Sequence, residues 1–464
     1  MLHSFATLAA LLALANAAPA HSGTLKLDFT KRVGEPGHPS RHSPSLGKDT
    51  PKAILKNHLV FYDTEITLGT PLKTFTVDLD TGSSDLWVAA DGRNGSYNPN
   101  NSSSYQEYKP GFSIGYVDGS HAEGNWVKDT IGFGGATISE FIFAAADKVA
   151  STQQVFGIGY PALEASSTNP HGDPFTYDNF PIRLAKDGII NTPSYSLYLN
   201  NLDADSGSVL FGGVDTSKFS GELTILQTLP EPYSQTTAEF LVTLDSIDVS
   251  VDNKSTNVLD KTRHVLLDSG TTLTYLPTET YQTLVSTLGL VDSVDYGAGT
   301  TKKHVDELIA KNVVITYTLQ GQTIAVPAAQ LFYLITDRYG NKVYFDQDGQ
   351  TEEFYGFLCA DGSDGDKNNA PETISYIFGD SFLRSAYVVY DIANDIIALG
   401  QADYDKTEGS IVPIQTGSEG IPSATSASVT ATWTRNEPIT TSAPEVSTVV
   451  PYTNSGVPQT TTMW

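Results

Sequence analysis

Residues 80–88 read Asp-Thr-Gly-Ser-Ser-Asp-Leu-Trp-Val, and residues 268–272 read Asp-Ser-Gly-Thr-Thr. Both stretches begin with Asp-[Ser/Thr]-Gly-[Ser/Thr], a pattern that average amino-acid usage predicts ~0.03 times in a chain of this length. Each copy follows a short apolar run and precedes further apolar residues, so each is expected to form a strand, a tight loop and a second strand. The sequence therefore predicts an internal duplication with one such loop in each half.

The residue types of the repeated loop suit acid–base chemistry. The aspartate supplies a carboxylate, the glycine permits a sharp turn or a close backbone approach, and the hydroxyls can donate to carboxylate oxygens or to the opposite loop. Two such loops related by a pseudo-twofold axis would bring Asp80 and Asp268 together. Because two carboxylates in contact cannot both ionise at ordinary cost, the pair would share one proton and act as an acid and a base at once.

The composition excludes several classes of function. The 464 residues include 53 acidic and 27 basic side chains, a formal net charge of −26. This charge opposes binding to nucleic acid and to anionic membrane surfaces, so neither is expected as a partner. The single cysteine, Cys359, excludes an intramolecular disulfide. No cluster of His and Cys suggests a zinc site, so we expect no bound metal and no other cofactor.

The N-terminal region differs from the body of the chain. Residues 1–17 are predicted to be a signal peptide, because an apolar run ends in the small-residue exit Ala15-Asn16-Ala17. Residues 18–56 are predicted to be a detachable basic propeptide, with a floppy linker as the alternative. Residues 18–58 contain seven basic and three acidic residues, a net charge of +4, which leaves −30 for the rest. The dibasic pair Lys31-Arg32 is a candidate processing site.

From Leu59 to Tyr404, short alternating apolar runs separated by turns predict a mainly β protein. Short helices are expected at 179–186 and 279–288. Residues 406–464 are predicted to be a disordered tail, since 19 of the 54 residues from Ile411 onward are Ser or Thr. The sequons that are candidates for N-glycosylation begin at Asn94, Asn100, Asn101 and Asn253.

From about Asn57 to Tyr404 the chain resembles the pepsin family of aspartic endopeptidases, in particular its secreted fungal and yeast members. The two repeated loops look like the family's two signatures. Residues 155–157, Val-Phe-Gly, and 377–380, Ile-Phe-Gly-Asp, resemble the segments that thread beside each catalytic loop. The resemblance implies an all-β, bilobal pepsin-like fold, in which two β-barrel-like lobes, 57–205 and 206–405, are related by a pseudo-twofold axis and enclose a cleft.

The resemblance also implies roles for individual residues. Asp80 and Asp268 would hold the attacking water, one accepting its proton while the other protonates the scissile carbonyl oxygen. The residues implied to support this dyad, by bracing the loops or binding the carboxylates, are Thr81, Gly82, Ser83, Ser269, Gly270 and Thr271. The residues implied to form the flap and bind substrate are Tyr116, Val117, Asp118, Gly119 and Trp87, with Trp87 as the hydrogen-bond partner of Tyr116.

Two positions depart from the family pattern or modify it. In fungal relatives, an acidic residue at the flap position of Asp118 accompanies acceptance of lysine at P1, so we hypothesise that basic as well as large hydrophobic P1 residues are accepted. The alternative is a simple turn aspartate. Similar fungal enzymes carry a disulfide in the C-terminal lobe, but only His304 stands where a partner of Cys359 is expected, which predicts a free, buried thiol.

The sequence thus predicts an aspartic-type endopeptidase that is secreted as a zymogen and cleaves internal peptide bonds of polypeptides in acid. Its partners would be polypeptide substrates, pepstatin-like inhibitors and its own propeptide, with Lys31 or Lys26 as a plug near the dyad. A monomer is expected, and association with the cell wall is left open. The alternatives are a catalytically silent pepsin-like binding or inhibitor protein and a carboxylate-pair glycosidase.

Overall fold

The computed structural model describes residues 23–33, 60–428, 432–433 and 450–451. Within 60–428 the gaps are 117–118, 135, 152, 170–171, 231–235, 253, 294–295, 338–339, 348–349, 363–375 and 407–408. Strands account for 51% of the residues and helices for 13%, which confirms the predicted all-β class. The predicted signal peptide and most of the predicted propeptide lie outside the described residues.

The strands of the first half are β1 (Leu25–Val33), β2 (Val60–Leu68), β3 (Lys73–Asp80), β4 (Leu86–Ala89), β5 (Gln106–Gly115), β6 (His121–Phe133), β7 (Ala136–Val149), β8 (Val155–Gly157), β9 (Ser194–Tyr198), β10 (Ser206–Phe211), β11 (Gly213–Asp215) and β12 (Phe219–Gln227). Those of the second half are β13 (Leu241–Val251), β14 (Lys254–Asn257), β15 (Arg263–Leu267), β16 (Thr274–Leu276), β17 (Val291–Ser293), β18 (Gly297–Thr301), β19 (Val314–Leu319), β20 (Gln322–Pro327), β21 (Phe332–Leu334), β22 (Tyr344–Gln347), β23 (Gln350–Phe357), β24 (Cys359–Asp361), β25 (Tyr376–Phe378), β26 (Ala386–Asp391), β27 (Ile396–Ala402), β28 (Ile411–Pro413), β29 (Ala424–Ser426), β30 (Thr432–Trp433) and β31 (Val450–Pro451).

The helices are short. The α-helices are α1 (Phe180–Lys186), α2 (Thr278–Thr287), α3 (Lys302–Ala310) and α4 (Asp380–Leu383). The 3₁₀ helices are η1 (Pro99–Asn101), η2 (Pro161–Leu163), η3 (Ala165–Thr168) and η4 (Ala328–Gln330). The first two α-helices lie where the sequence predicted them, whereas α3 and α4 were not predicted. None of the helices in the described part of the chain combines the length and hydropathy that a membrane span requires.

Two large sheets form the framework. A 14-stranded sheet has the order β29-β12-β27-β26-β9-β10-β1-β2-β3-β8-β4-β7-β6-β5, so strands from both halves of the sequence share it. A second sheet has the order β20-β19-β13-β15-β25-β16-β24, with β14 pairing with β13. The largest cluster of buried apolar side chains draws residues from both sheets, so one continuous core underlies the two halves.

The duplication predicted from the repeated loops is present in the strand pairing. Strand β8 lies between β3 and β4, parallel to β3 and antiparallel to β4. In the second half β25 lies in the same way between β15 and β16, parallel to the first and antiparallel to the second. Each repeated loop therefore leaves one strand and returns as another, with a threading strand between them.

Strand β1 belongs to the segment predicted to be a detachable propeptide. It pairs antiparallel with β10 on one side and with β2 on the other. Phe29 is 1% exposed, and its ring packs edge-on against Tyr62, with the ring centroids 5.3 Å apart. This part of the segment is thus integrated in the sheet of the full-length chain, while its boundaries as a propeptide stay a prediction.

The tail is packed over its first part, where the prediction of disorder is wrong. Strand β28 pairs with β11, and β29 pairs with β12. Ile414 and Ile421 are 0% and 3% exposed, in a cluster with Tyr387 and Val214. The prediction of disorder relied on the Ser/Thr-rich composition of the whole tail, which does not reveal that these two isoleucines supply apolar surface for packing. Most of the sequence beyond 428 lies outside the described residues.

Cys359 is free and buried, as predicted. Its sulfur lies 3.8 Å from the hydroxyl oxygen of Tyr317, and burial raises the pKa of the thiol to about 12. His304, which stands where a disulfide partner was expected, lies in α3 and makes a 2.8 Å hydrogen bond to the carbonyl oxygen of Leu288. The thiol is therefore protonated at physiological pH and is a poor nucleophile.

Candidate active site

The two repeated loops hold their aspartates in the same way. The backbone N–H of Gly82 donates to Asp80 Oδ1 over 2.8 Å, and that of Gly270 donates to Asp268 Oδ1 over 2.8 Å. The hydroxyl of Ser83 donates to Asp80 Oδ2 over 2.5 Å. On the other side, Thr271 donates to Asp268 Oδ2 over 2.7 Å. Each carboxylate is thus fixed by one backbone and one side-chain donor from its own loop.

The second residues of the two loops tie the loops together. The hydroxyl of Thr81 donates to the carbonyl oxygen of Leu267 over 3.0 Å and accepts the N–H of Ser269 over 2.9 Å. In the mirrored arrangement, the hydroxyl of Ser269 donates to Leu79 O over 2.8 Å and accepts the N–H of Thr81 over 3.2 Å. Four buried hydrogen bonds between residues about 190 positions apart hold the loops in register, as the resemblance implies.

Close packing of the loops depends on glycine. A Cβ on Gly82 would lie 2.6 Å from the carboxyl carbon of Asp268, so the second aspartate sits directly against the first loop. In the threading segments, a Cβ on Gly157 would lie 2.6 Å from the backbone nitrogen of Ser84, and one on Gly379 would lie 2.1 Å from Thr271 O. Gly157 and Gly379 exclude side chains because backbone atoms stand where a methyl group would go, whereas at Gly82 the obstacle is the carboxyl group of Asp268.

Beneath the loops lies a buried aromatic platform. The rings of Tyr195 and Tyr390 stack with centroids 5.0 Å apart, and Phe240 packs against Tyr390 at 4.6 Å. Burial raises the pKa of Tyr195 well above its usual value, and the nearby hydroxyls and the charges of Asp80 and Asp268 act in the same direction. Asp80 and Asp268 are themselves 0% and 1% exposed, so the two carboxyl groups and the aromatic rings near them lie in one buried region.

The predicted flap lies in the hairpin formed by β5 and β6. At its tip, Tyr116 N donates to Ser120 O and Gly119 N donates to Tyr116 O, each over 2.9 Å, and Gly119 has φ +83°. The indole N–H of Trp87 donates to the hydroxyl of Tyr116 over 2.8 Å, the hydrogen bond that the resemblance implies. Val117 and Asp118 lie outside the described residues. Tyr116 is therefore anchored to β4, the strand that follows the first repeated loop.

Other predicted residues lie away from the dyad or outside the described residues. Asn94, Asn100 and Asn101 are exposed, whereas Asn253 is not described. Use of these sequons stays a prediction. The ammonium group of Lys31 donates a hydrogen bond to the carbonyl oxygen of Leu202, and Lys26 forms a salt bridge with Asp28 at 2.6 Å. The plug role of either lysine likewise stays a prediction.

Sequence reasoning missed a buried acidic pair beside the first loop. Asp85 follows Asp80 by five residues, and Glu164 follows η2; they are 0% and 1% exposed. Asp85 lies in the stretch 80–88 but outside the repeated tetrapeptide, and Leu273 stands at the equivalent position of the second copy, so the repeat gave no signal for Asp85. For Glu164 the sequence offers no signal, because an acidic residue after a turn ordinarily faces solvent.

Comparisons with known proteins agree with this architecture. The family model described as "Eukaryotic aspartyl protease" matches residues 61–402. The "Acid protease" of Saccharomycopsis fibuligera is 37% identical over 418 residues, covering 86% of this chain and 98% of that protein. "Secreted aspartic protease 3" of Candida albicans is 34% identical over 390 residues, covering 81% of this chain and 87% of that protein.

Among solved structures, the aspartic proteinase from Irpex lacteus aligns with a TM-score of 0.60 at 21% identity, covering 75% of this chain and 96% of that chain. This likeness shows the fold. The chain belongs to the eukaryotic aspartyl protease family and is an aspartic-type endopeptidase with a pepsin-like fold.

Proposed function

We propose that this protein is a secreted acid endopeptidase, made as a zymogen, in which Asp80 and Asp268 activate water to cleave internal peptide bonds. The observation that carries the proposal is the matched anchoring of the two carboxylates on two cross-braced loops. Acid–base catalysis needs its groups held in a fixed orientation before the substrate arrives, and eight buried or half-buried hydrogen bonds supply that orientation here.

In the proposed mechanism, the pair carries one proton between two carboxyl groups. The ionised partner takes a proton from the water as its oxygen attacks the scissile carbonyl carbon, and the protonated partner gives its proton to the carbonyl oxygen. The product is a tetrahedral diol, formed without a covalent enzyme intermediate. Collapse of the diol transfers a proton to the leaving amine and breaks the C–N bond. The flap residue Tyr116, held by Trp87, would cover the bound peptide.

Secretion and latency rest on the sequence and on the relatives. One relative is named a secreted aspartic protease, and the chain opens with a signal-like run followed by a basic segment. The net charge of residues 18–58 is +4 and that of the remainder is −30, so the two parts attract each other. As the pH falls, protonation of carboxylates in the body weakens this attraction, so acid would release the segment.

The proposal is tested by exposing the full-length secreted protein to acid and measuring digestion of casein or haemoglobin with and without pepstatin. We expect digestion in acid that pepstatin abolishes, preceded by loss of the N-terminal segment. Absence of peptide cleavage by the folded, acid-treated protein would contradict the proposal and favour a silent binding protein. Cleavage of glycosides instead of peptides would equally defeat it.

The preference at P1 extends the proposal. Because a carboxylate in the flap would offset the cost of burying a lysine side chain, replacing Asp118 with threonine is expected to lower kcat/KM for a Lys-P1 peptide by about tenfold or more, a loss typical of one removed ion-pair partner. Cleavage of the matched Phe-P1 peptide should change little. An unchanged ratio of the two kcat/KM values would show that Asp118 is only a turn residue.

A further inference from the structure

Tyr177 donates hydrogen bonds to two buried carboxyl groups, one from its side-chain hydroxyl and one from its backbone N–H. Its hydroxyl donates to Asp85 Oδ1 over 2.8 Å, while its backbone N–H donates to Glu164 Oε2 over 2.9 Å. Ala165, the residue after Glu164, donates its N–H to Asp85 Oδ2 over 2.7 Å. We call this arrangement of Asp85, Glu164, Ala165 and Tyr177 the tyrosine clamp. It fastens Ala165 and Tyr177 to Asp85, which follows the loop that carries Asp80.

The tyrosine clamp supports the flap side of the cleft. Tyr177 belongs to a buried cluster with Trp87, Phe112 and Trp126, and Tyr116 of the flap packs against that cluster. Trp126 also directs its indole N–H at Asp85 Oδ1, 3.4 Å away. Trp87 donates a hydrogen bond to the hydroxyl of Tyr116. A shift of Tyr177 would therefore move Trp87 and change the position of Tyr116, the residue proposed to cover the substrate.

The two carboxyl groups of the clamp are not equivalent. Asp85 receives hydrogen bonds on both oxygens, as an ionised carboxylate requires. Glu164 receives them on Oε2 only, from Tyr177 and Ser166, and its buried Oε1 makes no direct hydrogen bond to the described residues. A buried oxygen without donors favours the neutral acid, since ionisation would leave negative charge unsolvated.

The charges around the clamp act in the same direction. Burial, then the charge of Asp85, raise the pKa of Glu164 to about 9, and Asp178 adds to this. Asp178 is itself paired with Lys186 at 2.5 Å, and Lys109 on the β5 side lies over the ring of Phe175. The titratable groups facing Glu164 and its partners are Asp85, Tyr177, Asp178, Lys186 and Lys109.

We infer that protonated Glu164 is a positioning residue of this protease: it holds Tyr177 in the clamp, and loss of its proton loosens the flap-side cluster and limits the enzyme at high pH. A carboxyl group whose pKa is higher in the folded than in the unfolded chain stabilises the fold fully below its unfolded value, here 4.5. That stabilisation is lost as the pH rises from there toward about 9. This inference deepens the proposed function, and its activity measurements rest on that function.

The test replaces Glu164 with glutamine, a neutral side chain of the same shape whose carbonyl can still accept the N–H of Tyr177. The full-length protein and the variant are compared by the rate of irreversible unfolding and by pH–activity profiles, each normalised to its own maximum. We expect the E164Q half-life at about pH 7.5 to exceed that of the parent by about tenfold or more, because at this pH Glu164 of the parent loses its proton when the chain unfolds whereas glutamine cannot. At about pH 4 the glutamate is largely protonated in both the folded and the unfolded chain, so no such gain is expected. In E164Q, the fall of kcat/KM on the alkaline side of the profile should occur at a higher pH than in the parent.

Two further variants complete the test. Glu123→Gln alters an exposed glutamate paired with Lys148 and should leave the pH dependence of both measurements unchanged. Tyr177→Phe removes the hydroxyl bond to Asp85 but keeps the N–H bond to Glu164, so KM is expected to rise several-fold with less change in kcat. Identical pH dependence in the parent and E164Q would overturn the inference, as would unchanged KM in Y177F. If no peptide cleavage occurs, the half-life measurement still decides the role of Glu164.

Discussion

Replacement of Asp80 or Asp268 with asparagine is expected to lower kcat for peptide hydrolysis by about 10³-fold or more, since each group is asked to transfer a proton in the transition state. The amide keeps the size and the acceptor oxygen of the carboxylate but cannot exchange the proton. Folding should be retained, because the change removes one of two adjacent acidic groups from a buried site. The measurement is kcat on a fluorogenic peptide, with thermal unfolding of each variant alongside.

The matched control for both dyad variants is Asp91→Asn. Asp91 is paired with Arg93 in an exposed turn that follows β4, so it is acidic and near in sequence but remote from the loops. Its activity should equal that of the parent. Activity in either dyad variant above about a tenth of the parent value would show that the two carboxyl groups do not act as acid and base.

Gly82→Ala is expected to have the second-largest effect, a loss of kcat of about 100-fold, the order found when reacting groups are misplaced by about 1 Å. A methyl group at this position would meet the carboxyl carbon of Asp268 at 2.6 Å, so the carboxylate must move. Thermal stability is also expected to fall, because the four hydrogen bonds between the loops would be strained.

Gly188→Ala separates steric exclusion from backbone strain. Gly188 has φ +72° and open space around its Cβ position, so alanine there carries a backbone penalty of about 1 kcal/mol but touches nothing. We expect it to lower the unfolding temperature slightly and to leave kcat as it was. Equal kcat losses in the two alanine variants would mean that close approach to Asp268 is not the cause.

The repeated loops made the site predictable from the sequence because their chemistry is local. Each aspartate, its glycine and its hydroxyl lie within four consecutive residues, so the hydroxyl donors to Asp80 and Asp268 were predicted, whereas the backbone N–H donors of the two glycines were not. The strand–loop–strand pattern around them likewise predicted the β class. These features depend on residues that are neighbours in the sequence, so the sequence alone is enough to predict them.

The features that were missed depend on neighbours in space. Glu164 is buried beside Ala165 and Tyr177, which both donate to Asp85, and no local pattern indicates these contacts. Helix α3 begins at the cap Thr301, whose hydroxyl accepts the N–H of His304, yet only Val305 and Leu308 mark its buried face. In the tail, Ile414 and Ile421 pack in a cluster that includes Val214 and Phe219, whose strands β11 and β12 lie far earlier in the sequence.

The pairing of β1 on both edges would set the order of events in the proposed maturation. At Lys31 and Arg32 the backbone is paired with Tyr62 and Phe61, and the N–H of Lys31 also donates to Asp205 O over 2.8 Å. A processing protease needs an extended stretch of substrate free of such partners. Cleavage proposed at this dibasic pair would therefore require β1 to separate from β2, so the stability of the pairing between β1 and β2 would limit how readily the chain is converted.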